Sequence, residues 1–416
     1  MTAPVPKLPL SLADISAAAA VIAGAVLRTP AVGAPALTEL AGAEIVLKLE
    51  TLHPTGSFKE RGALAKLLSL DAAQCKVGVI AMSAGNHAQS LAYHARRLGI
   101  PATIVMPEAT PFTKVERTEA YGARVVLRGA GLAEARHAAA EIAAAERLTL
   151  VHPYDDAMVI AGQGTAGLEL LADRPELDVI VVPIGGGGLI AGIATAAKAL
   201  KPEIEIIGVQ CALYPAMLHA LGRGAAPIGG PTLAEGIAVK EPGRLTQPII
   251  AALVDDILLA DEPALERAVA VLLDIEKLVV EGAGAAPLAA VLRHAERFRG
   301  RRVGLVLSGG NIDARLLASI LQRGLVRAGR LVRLRIEITD IPGALAKIAG
   351  IIGENGGNIV EIYHHRLFHD VSVKLAEVEA VVETRNPGHV GEVIGSLIAA
   401  GFPTRQLSST AVDGSD

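Results

Sequence analysis

Residues 53–62 place a lysine where it could act as a nucleophile. They read HPTGSFKERG, and Ser57 followed three residues later by Glu60 predicts a capped helix start. Lys59 would then lie in the first helical turn, where the positive end of the helix dipole disfavours an ammonium. A lysine kept as its neutral amine can form a Schiff base with a carbonyl group. The same pattern also fits an ordinary solvated Lys-Glu-Arg helix start.

Residues 83–87, which read SAGNH, lie between an apolar run and a helical segment. Free backbone N–H groups at such a helix start favour a carboxylate or phosphate. The Asn86 amide can also donate to a phenolate or carboxylate, and His87 would cap or line the pocket. A simple turn that uses glycine and asparagine for positive φ would have the same sequence.

Four successive glycines, Gly185–Gly188, follow the apolar run Val179–Ile184 and precede Leu189. Successive glycines let several N–H groups converge on one anion, as in a phosphate site. No Gly-Lys-Ser/Thr follows, so the run is not a nucleotide P-loop. A dinucleotide site fits the GxGxxA spacing, but the next strand ends at Val209-Gln210 without an acidic residue for the ribose. The run therefore predicts a monophosphate site, and the buried strand before it disfavours a flexible linker.

A fourth segment, Ser308–Asn311, reads SGGN and follows the apolar run Val303–Leu307. A hydroxyl at the end of a strand could hydrogen-bond a ring nitrogen. Taken alone, the segment is an ordinary turn.

Apolar β-branched runs alternate with Ala- and Leu-rich helical segments over roughly the first 320 residues. Near-continuous apolar strands separated by helices predict an α/β fold with parallel sheets covered on both faces. Ligands in such sheets bind where a strand end meets the following helix, which is where these segments lie. The predicted strands are Val77–Met82, Ala102–Met106, Arg124–Leu127, Val179–Ile184, Ile204–Val209 and Val303–Leu307.

The pattern changes near Gly324–Arg330 and predicts a second domain. Its order of strand, helix, strand, strand, helix and short strand is the ferredoxin-like βαββαβ pattern. We place the boundary at about residue 325, which divides the chain into residues 1–325 and 326–416. The predicted elements are residues 331–338, 343–354, 358–366, about 377–384, 388–400 and 403–407.

Composition excludes several classes of protein. The formal net charge of −4, the absence of Trp and the 2% of aromatic residues argue against a nucleic-acid partner. The two cysteines, Cys75 and Cys211, form no cluster that would indicate disulfides or structural zinc. The N-terminal sequence lacks a secretion-signal pattern, and the Ala-rich stretch Ala17–Leu27 is too short to span a bilayer. We therefore expect a cytoplasmic protein without a membrane partner.

Taken together and in this order, the segments resemble the fold-type II pyridoxal-phosphate enzymes, and specifically the threonine dehydratases. The resemblance covers about residues 20–320. It implies a two-lobed, tryptophan synthase β-like fold of parallel sheets, with a small lobe at about residues 50–150 inserted in the large lobe. The matching motifs are SFKERGA around Lys59, SAGNHAQ at Ser83–Gln89, GGGGL at Gly185–Leu189, EGAGA at Glu281–Ala285 and SGGN at Ser308–Asn311.

The resemblance implies a role for each matched residue. Lys59 would hold pyridoxal 5'-phosphate and then remove the α-proton of the substrate. Asn86 would bond the phenolic oxygen of the cofactor, and Ser308 would face its pyridine nitrogen. The phosphate would be bound by Gly185, Gly186, Gly187, Gly188 and Leu189. The substrate carboxylate would be bound by Ser83, Gly85, Asn86 and His87.

The implied reaction is the dehydration of L-threonine, and of L-serine, to a 2-oxo acid and ammonia. A neutral serine at the pyridine nitrogen need not protonate the ring, which suits prompt β-elimination. Serine racemases of this fold carry a second serine at the place of Ala84, so alanine here disfavours racemisation. A dehydratase or racemase of another β-hydroxy amino acid, such as serine or 3-hydroxyaspartate, stays open. So does a catalytically silent amino-acid sensor.

The C-terminal segment resembles an ACT domain, an amino-acid-sensing module. The resemblance rests on Asp340–Leu345, which reads DIPGAL, and on Asn355–Ile359, which reads NGGNI. It implies an amino-acid effector and, because such modules commonly pair, a homo-oligomer such as a dimer or tetramer. A domain used only for oligomerisation is the other interpretation. Relatives of the catalytic fold bind a cation near Glu235, but one carboxylate leaves the metal unknown.

Overall fold

The computed structural model describes residues 8–365 and 375–407. The chain divides into two compact units, Met1–Ile312 and Asp313–Asp416. The sequence pattern predicts the boundary at about residue 325. Helix α15 (Ala314–Arg327) spans that position and groups with the second unit, where it contacts the strand that follows it.

Two sheets form the first unit, in its described residues. The six-stranded sheet has the order β1-β2-β10-β7-β8-β9, and the four-stranded sheet has the order β5-β4-β3-β6. Neighbouring strands are parallel except for the antiparallel pair β1 and β2. The strands are β1 Ala31–Gly33, β2 Glu44–Leu49, β3 Val79–Met82, β4 Ala102–Met106, β5 Arg124–Leu127, β6 Thr149–Leu150, β7 Val179–Pro183, β8 Glu205–Cys211, β9 Asp256–Ala260 and β10 Arg302–Leu307.

Helices connect most of these strands, as parallel pairing requires. Single-turn 3₁₀ helices lie at Glu50–Leu52 and Glu235–Ile237. The α-helices of the first unit are α1 Leu12–Ile22, α2 Pro35–Ala41, α3 Lys59–Leu68, α4 Ala72–Val77, α5 Asn86–Leu98, α6 Phe112–Ala120, α7 Leu132–Glu146, α8 Ala157–Asp173, α9 Gly188–Leu200, α10 Ala216–Ala220, α11 Thr246–Leu253, α12 Glu262–Asp274, α13 Gly282–Arg293 and α14 Ala295–Phe298.

Local sequence explains where several of these elements begin and end. Every residue of β7 is buried, which is why its sequence VIVVP is continuously apolar. Helix α8 begins after Asp156, whose carboxylate accepts hydrogen bonds from the backbone N–H groups of Met158 and Val159. Helix α5 ends at Gly99, whose φ of +68° suits glycine. The predicted α/β class with parallel sheets is confirmed.

The second unit has the predicted ferredoxin-like order. Its described part holds α15, β11 Leu331–Thr339, α16 Ala344–Glu354, β12 Asn358–His365, β13 Leu375–Glu383, α17 Pro387–Ala399 and β14 Thr404–Leu407. The antiparallel sheet order is β12-β13-β11-β14. Alternate residues of β11 are buried, so one face of the sheet carries the apolar core. Arg366, the predicted last residue of the third element, lies outside the described residues.

A helix that crosses a bilayer must be both long and apolar. In residues 8–365 and 375–407, no helix combines the length and the apolar character that crossing a membrane needs.

Candidate active site

Three of the chemically suggestive segments follow the carboxyl ends of neighbouring strands in the six-stranded sheet, namely β2, β10 and β7. Backbone hydrogen bonds join the segment that follows β2 to the segment that follows β10. The N–H of Phe58 donates to the carbonyl oxygen of Ser308 at 3.0 Å, and the N–H of Gly310 donates to Gly56 at 2.9 Å. The fourth segment follows β3 of the other sheet.

Lys59 is the first residue of α3, so it lies in the first helical turn as predicted. Its Nζ donates to the carbonyl oxygen of Pro153 at 2.6 Å. Burial lowers the pKa of Lys59 to about 8, and the charge of Glu281 opposes that shift. A lysine with this pKa is partly neutral near physiological pH and can act as a nucleophile.

The predicted capping pair at the start of α3 is wrong. Phe58 occupies the cap position, without a side-chain cap. The Glu60 carboxylate instead accepts from the backbone N–H of Thr55 at 2.6 Å and from the His94 ring at 3.2 Å. The buried hydroxyl of Ser57 has no hydrogen-bond partner among the described residues.

A buried cluster of charges anchors the helix that carries Lys59. Arg61 Nε donates to Glu50 at 2.6 Å, and Arg61 Nη1 donates to Glu169 at 2.7 Å. Lys48 Nζ donates to the same Glu169 carboxylate at 2.6 Å. Since Lys48, Glu50 and Arg61 are fully buried, each charge depends on these partners in place of water.

Close backbone contact also holds α3 against α8. A Cβ on Gly62 would lie 2.7 Å from the carbonyl oxygen of Val159, and one on Gly162 would lie 2.6 Å from that of Arg61. Any side chain at these two positions would push the helices apart. The position of α3 is therefore set by both packing and charge.

The glycine run bends the chain from β7 into α9. Gly187 has a φ of +96° and caps the helix, and the N–H groups of residues 185–189 form no hydrogen bond to the described part of the chain. A Cβ on Gly186 would lie 2.2 Å from the ring of Tyr154. The run thus presents free donors at a helix start, which suits a phosphate.

Asn86 is the first residue of α5 and joins two segments distant in sequence. Its Nδ2 donates to Glu281 Oε1 at 2.8 Å, and its Oδ1 accepts from Asn311 Nδ2 at 2.8 Å. Just before it, the N–H of Gly85 donates to Ser83 Oγ at 3.3 Å. A Cβ on Gly85 would meet only open space, so room for a ligand exists beside this loop.

The ring of His87 does not offer a donor in its present arrangement. It is buried, and its Nε2 bonds to the carbonyl oxygen of Val151 at 3.0 Å, so Nε2 carries the hydrogen. Its Nδ1 has no partner among the described residues. Burial and the charge of Lys59 lower the pKa of His87 to about 3, so the ring is neutral. A carboxylate requires donors, so only the backbone of His87 fits the predicted contact.

Ser308 lies at the end of β10 and is 3% exposed. Its carbonyl oxygen accepts from Phe58, whereas its hydroxyl makes no hydrogen bond to the part of the chain that the structure describes. The hydroxyl is therefore available to hydrogen-bond a ligand.

The sequence pattern does not indicate that Glu281, Tyr154 and His152 lie at the candidate site. Glu281 lies within the EGAGA motif, but no local pattern indicates its role, since its partner Asn86 is 195 residues away. Burial, with the charge of Glu235, raises the pKa of Glu281 to about 7, although hydrogen bonding to Asn86 opposes the shift. The rings of His152 and Tyr154 meet edge to face at 4.6 Å. Their one sequence signal is the polar run HPYDD directly before α8.

A cation near Glu235 stays an expectation from the resemblance, with the metal unknown. Glu235 is paired with Lys114, whose Nζ lies 2.6 Å from Oε2. In the described ranges of the chain, no group of three or more His, Cys, Asp or Glu side chains could hold a metal ion.

These residues fit an aromatic aldehyde that carries one phosphate. The lysine amine suits the aldehyde, the free N–H groups suit the phosphate, and Ser308 can bond a ring nitrogen. Residues 22–309 match the family model described as pyridoxal-phosphate dependent enzyme. The chain belongs to this family. Its cofactor is pyridoxal 5'-phosphate, and residues 332–399 match the ACT domain.

Similar proteins span nearly the whole chain or the first unit. An L-threonine ammonia-lyase from Thermotoga maritima is 44% identical over 398 residues, which cover 95% of this chain and 99% of the relative. The solved threonine deaminase from T.th. is 43% identical, with a TM-score of 0.69, and the match covers 73% of this chain and 99% of the deaminase. Maize serine racemase is 34% identical, with a TM-score of 0.71, and the match covers 76% of this chain and 98% of the racemase.

Proposed function

We propose that this protein is an L-threonine ammonia-lyase that also accepts L-serine and forms a 2-oxo acid and ammonia. The observation that carries the proposal is a partly buried lysine with a lowered pKa, in a chain whose described part also leaves the N–H groups of the glycine run and the Ser308 hydroxyl without a partner. The relatives from T. maritima and T.th., named for the same activity, support the choice of threonine.

Each cofactor contact is proposed from a group that has at least one bonding position still available in the described chain. The Lys59 amine holds the aldehyde carbon, the N–H groups of Gly185–Leu189 bind the phosphate, and the Ser308 hydroxyl meets the ring nitrogen. The second hydrogen on Asn86 Nδ2 donates to the phenolic oxygen. Bound in this way, the cofactor withdraws electrons from the α-carbon of the substrate and so acidifies the α-proton.

The proposed elimination needs a base and a bound carboxylate. Lys59, once its amine is released, accepts the α-proton because burial favours the neutral amine before transfer. The substrate carboxylate meets the N–H groups at the start of α5, beside Ser83, Gly85 and Asn86. Ser308 is neutral and would not protonate the ring, which suits prompt elimination. The β-hydroxyl would leave as water by taking up a proton, which the protonated Lys59 can supply.

Ala84 supports elimination over racemisation. It packs, partly buried, against the core of the four-stranded sheet. A methyl group cannot deliver a proton to the second face of the α-carbon, which racemisation requires. The likeness to maize serine racemase therefore reflects the shared fold and cofactor in this proposal.

Regulation is proposed to act through the ACT domain, with an amino acid as effector. Linkage then requires that the effector change the affinity for substrate, and that substrate change the affinity for effector by the same factor. A homo-oligomer and a cytoplasmic location remain predictions from the sequence.

A substrate panel tests the activity. We expect the holoenzyme to release 2-oxo acid from L-threonine and L-serine, measured beside 3-hydroxyaspartate as the competing substrate. Borohydride reduction followed by peptide mass mapping should place the cofactor on Lys59, and Lys59→Ala serves as the control. Inactivity on both threonine and serine, or no reduced cofactor on Lys59, would reject the proposal.

A further inference from the structure

The side-chain amide of Asn86 is oriented by a chain of hydrogen bonds that has acceptors at both ends. At one end, Asn311 Nδ2 donates to the carbonyl oxygen of Thr55 at 2.7 Å and to Asn86 Oδ1 at 2.8 Å. At the other end, Asn86 Nδ2 donates to Glu281 Oε1 at 2.8 Å. Because a carbonyl oxygen and an ionised carboxylate only accept, neither amide can be turned over without losing a bond when Glu281 is ionised.

Two glycines pack against the Glu281 carboxylate, where a larger residue would crowd it. A Cβ on Gly309 would lie 2.7 Å from Glu281 Oε1, and one on Gly236 would lie 3.2 Å from the same oxygen. Glu281 also occupies the cap position of α13, but its side chain makes no cap hydrogen bond there. The carboxylate is thus turned away from the contact that would stabilise its own helix.

Charge connects Glu281 to the lysine. Among the described residues, the negative charge of Glu281 is the one that opposes the effect of burial on Lys59. Glu281 is itself partly buried, and its desolvation raises its pKa to about 7, so its charge appears as the pH rises through neutrality. A charge in such a poorly solvated place acts strongly on a neighbouring cation.

We propose that Glu281 is a positioning residue that aims Asn86 at the phenolic oxygen of the cofactor and keeps the nitrogen linked to Lys59 protonated. The proposal rests on the proposed attachment of the cofactor to Lys59. It does not depend on which amino acid is the substrate. This role also accounts for the room that Gly236 and Gly309 leave beside the Glu281 carboxylate, which does not cap its own helix.

The test is a spectroscopic pH titration of the holoenzyme with variants of Glu281. Glu281→Gln keeps an acceptor for Asn86 and removes the charge, so the pKa of the link at Lys59 should fall by about one unit. Cofactor affinity should stay near that of the wild type. Glu281→Ala removes both effects, so it should show the same shift and, in addition, about tenfold weaker cofactor binding.

Glu262→Gln is the matched control. This carboxylate also lies at a helix start, and it accepts from Thr232 and from the N–H of Leu233 without any described contact to Lys59. Its titration should match that of the wild type even if the protein is less stable. An unshifted titration in Glu281→Gln would overturn the proposal, because a purely structural role predicts lower stability alone.

A second variant keeps the test decisive if Glu281→Ala does not fold. Asn311→Ala frees the amide of Asn86 while leaving the charge of Glu281, so it should weaken cofactor binding several-fold with a smaller shift of the titration. Unchanged binding in this variant would refute the aiming of Asn86. A holoenzyme that shows these shifts but does not act on threonine or serine would reject the proposed function and leave this inference standing.

Discussion

Lys59 is partly buried, and its Nζ atom donates to the carbonyl oxygen of Pro153. One carbonyl replaces much less of the solvation of an ammonium than water supplies, so the neutral amine is favoured. The dipole of α3 acts in the same direction, but burial is the largest cause of the lowered pKa. Residues far away in sequence therefore determine the reactivity of this lysine.

The lowered pKa predicts how cofactor attachment to the apoenzyme depends on pH. The neutral amine is the nucleophile, so the rate should rise with pH and level off above about 8. Below that value the rate should fall about tenfold per pH unit, because the fraction of Lys59 in the neutral form falls tenfold with each unit. Stopped-flow absorbance after adding pyridoxal 5'-phosphate measures the rate.

The pH midpoint of cofactor attachment can be compared between the wild type and a variant that lacks the charge of Glu281. Glu281→Gln removes the charge that favours the ammonium, so its midpoint should lie below that of the wild type. A midpoint near the ordinary lysine value of about 10.4 would show that Nζ is solvated, contrary to the structure.

At the scale of elements, the turn from β7 into α9 is shaped by the ring of Tyr154. The ring lies against Gly186, and its hydroxyl donates to the carbonyl oxygen of Glu241 at 2.9 Å. A side chain at residue 186 would have to displace either the ring or the loop. The glycine is needed here for close approach.

Gly186→Ala is therefore expected to destabilise the protein by about 1–3 kcal/mol and to weaken phosphate binding, because the loop must move. Thermal unfolding and a cofactor titration measure the two effects. The double variant Gly186→Ala with Tyr154→Ala should recover cofactor affinity, since the clash is removed. Gly131→Ala is the control, because a Cβ there meets nothing within 4 Å. Equal effects of the two glycine variants would contradict the close approach.

The regular elements could be predicted from sequence more fully than the contacts between them. The apolar run of β7 and the alternating pattern of β11 depend on neighbouring residues, so both are readable from sequence. The capping role predicted for Glu60 is wrong because its partner His94 lies 34 residues away, on α5. The Asn86–Glu281 contact spans 195 residues, which no local pattern reveals.

At the scale of the whole molecule, activity and regulation are expected to separate between the two units. The solved T.th. threonine deaminase is matched over 99% of its length by 73% of this chain, so a similar fold exists without the ACT domain. A chain that ends at Ala328 should therefore keep threonine turnover. It should lose any response to isoleucine or valine, measured as the change in rate with effector concentration.

The full chain, assayed with the same effectors, is the reference for that comparison. If the shortened chain keeps the full response, the effector binds the first unit and the ACT domain has another role. If the full chain responds to neither amino acid, other amino acids must be screened before the two chains can be compared.

The buried cluster of Lys48, Glu50, Arg61 and Glu169 beneath α3 has a consequence for temperature. Burying charges deprives them of water, and the hydration of charged groups becomes less favourable as temperature rises. The free energy lost on burying these four groups therefore shrinks on heating, while their attraction persists. The anchor of the lysine-bearing helix should be among the parts of the chain that heat weakens least.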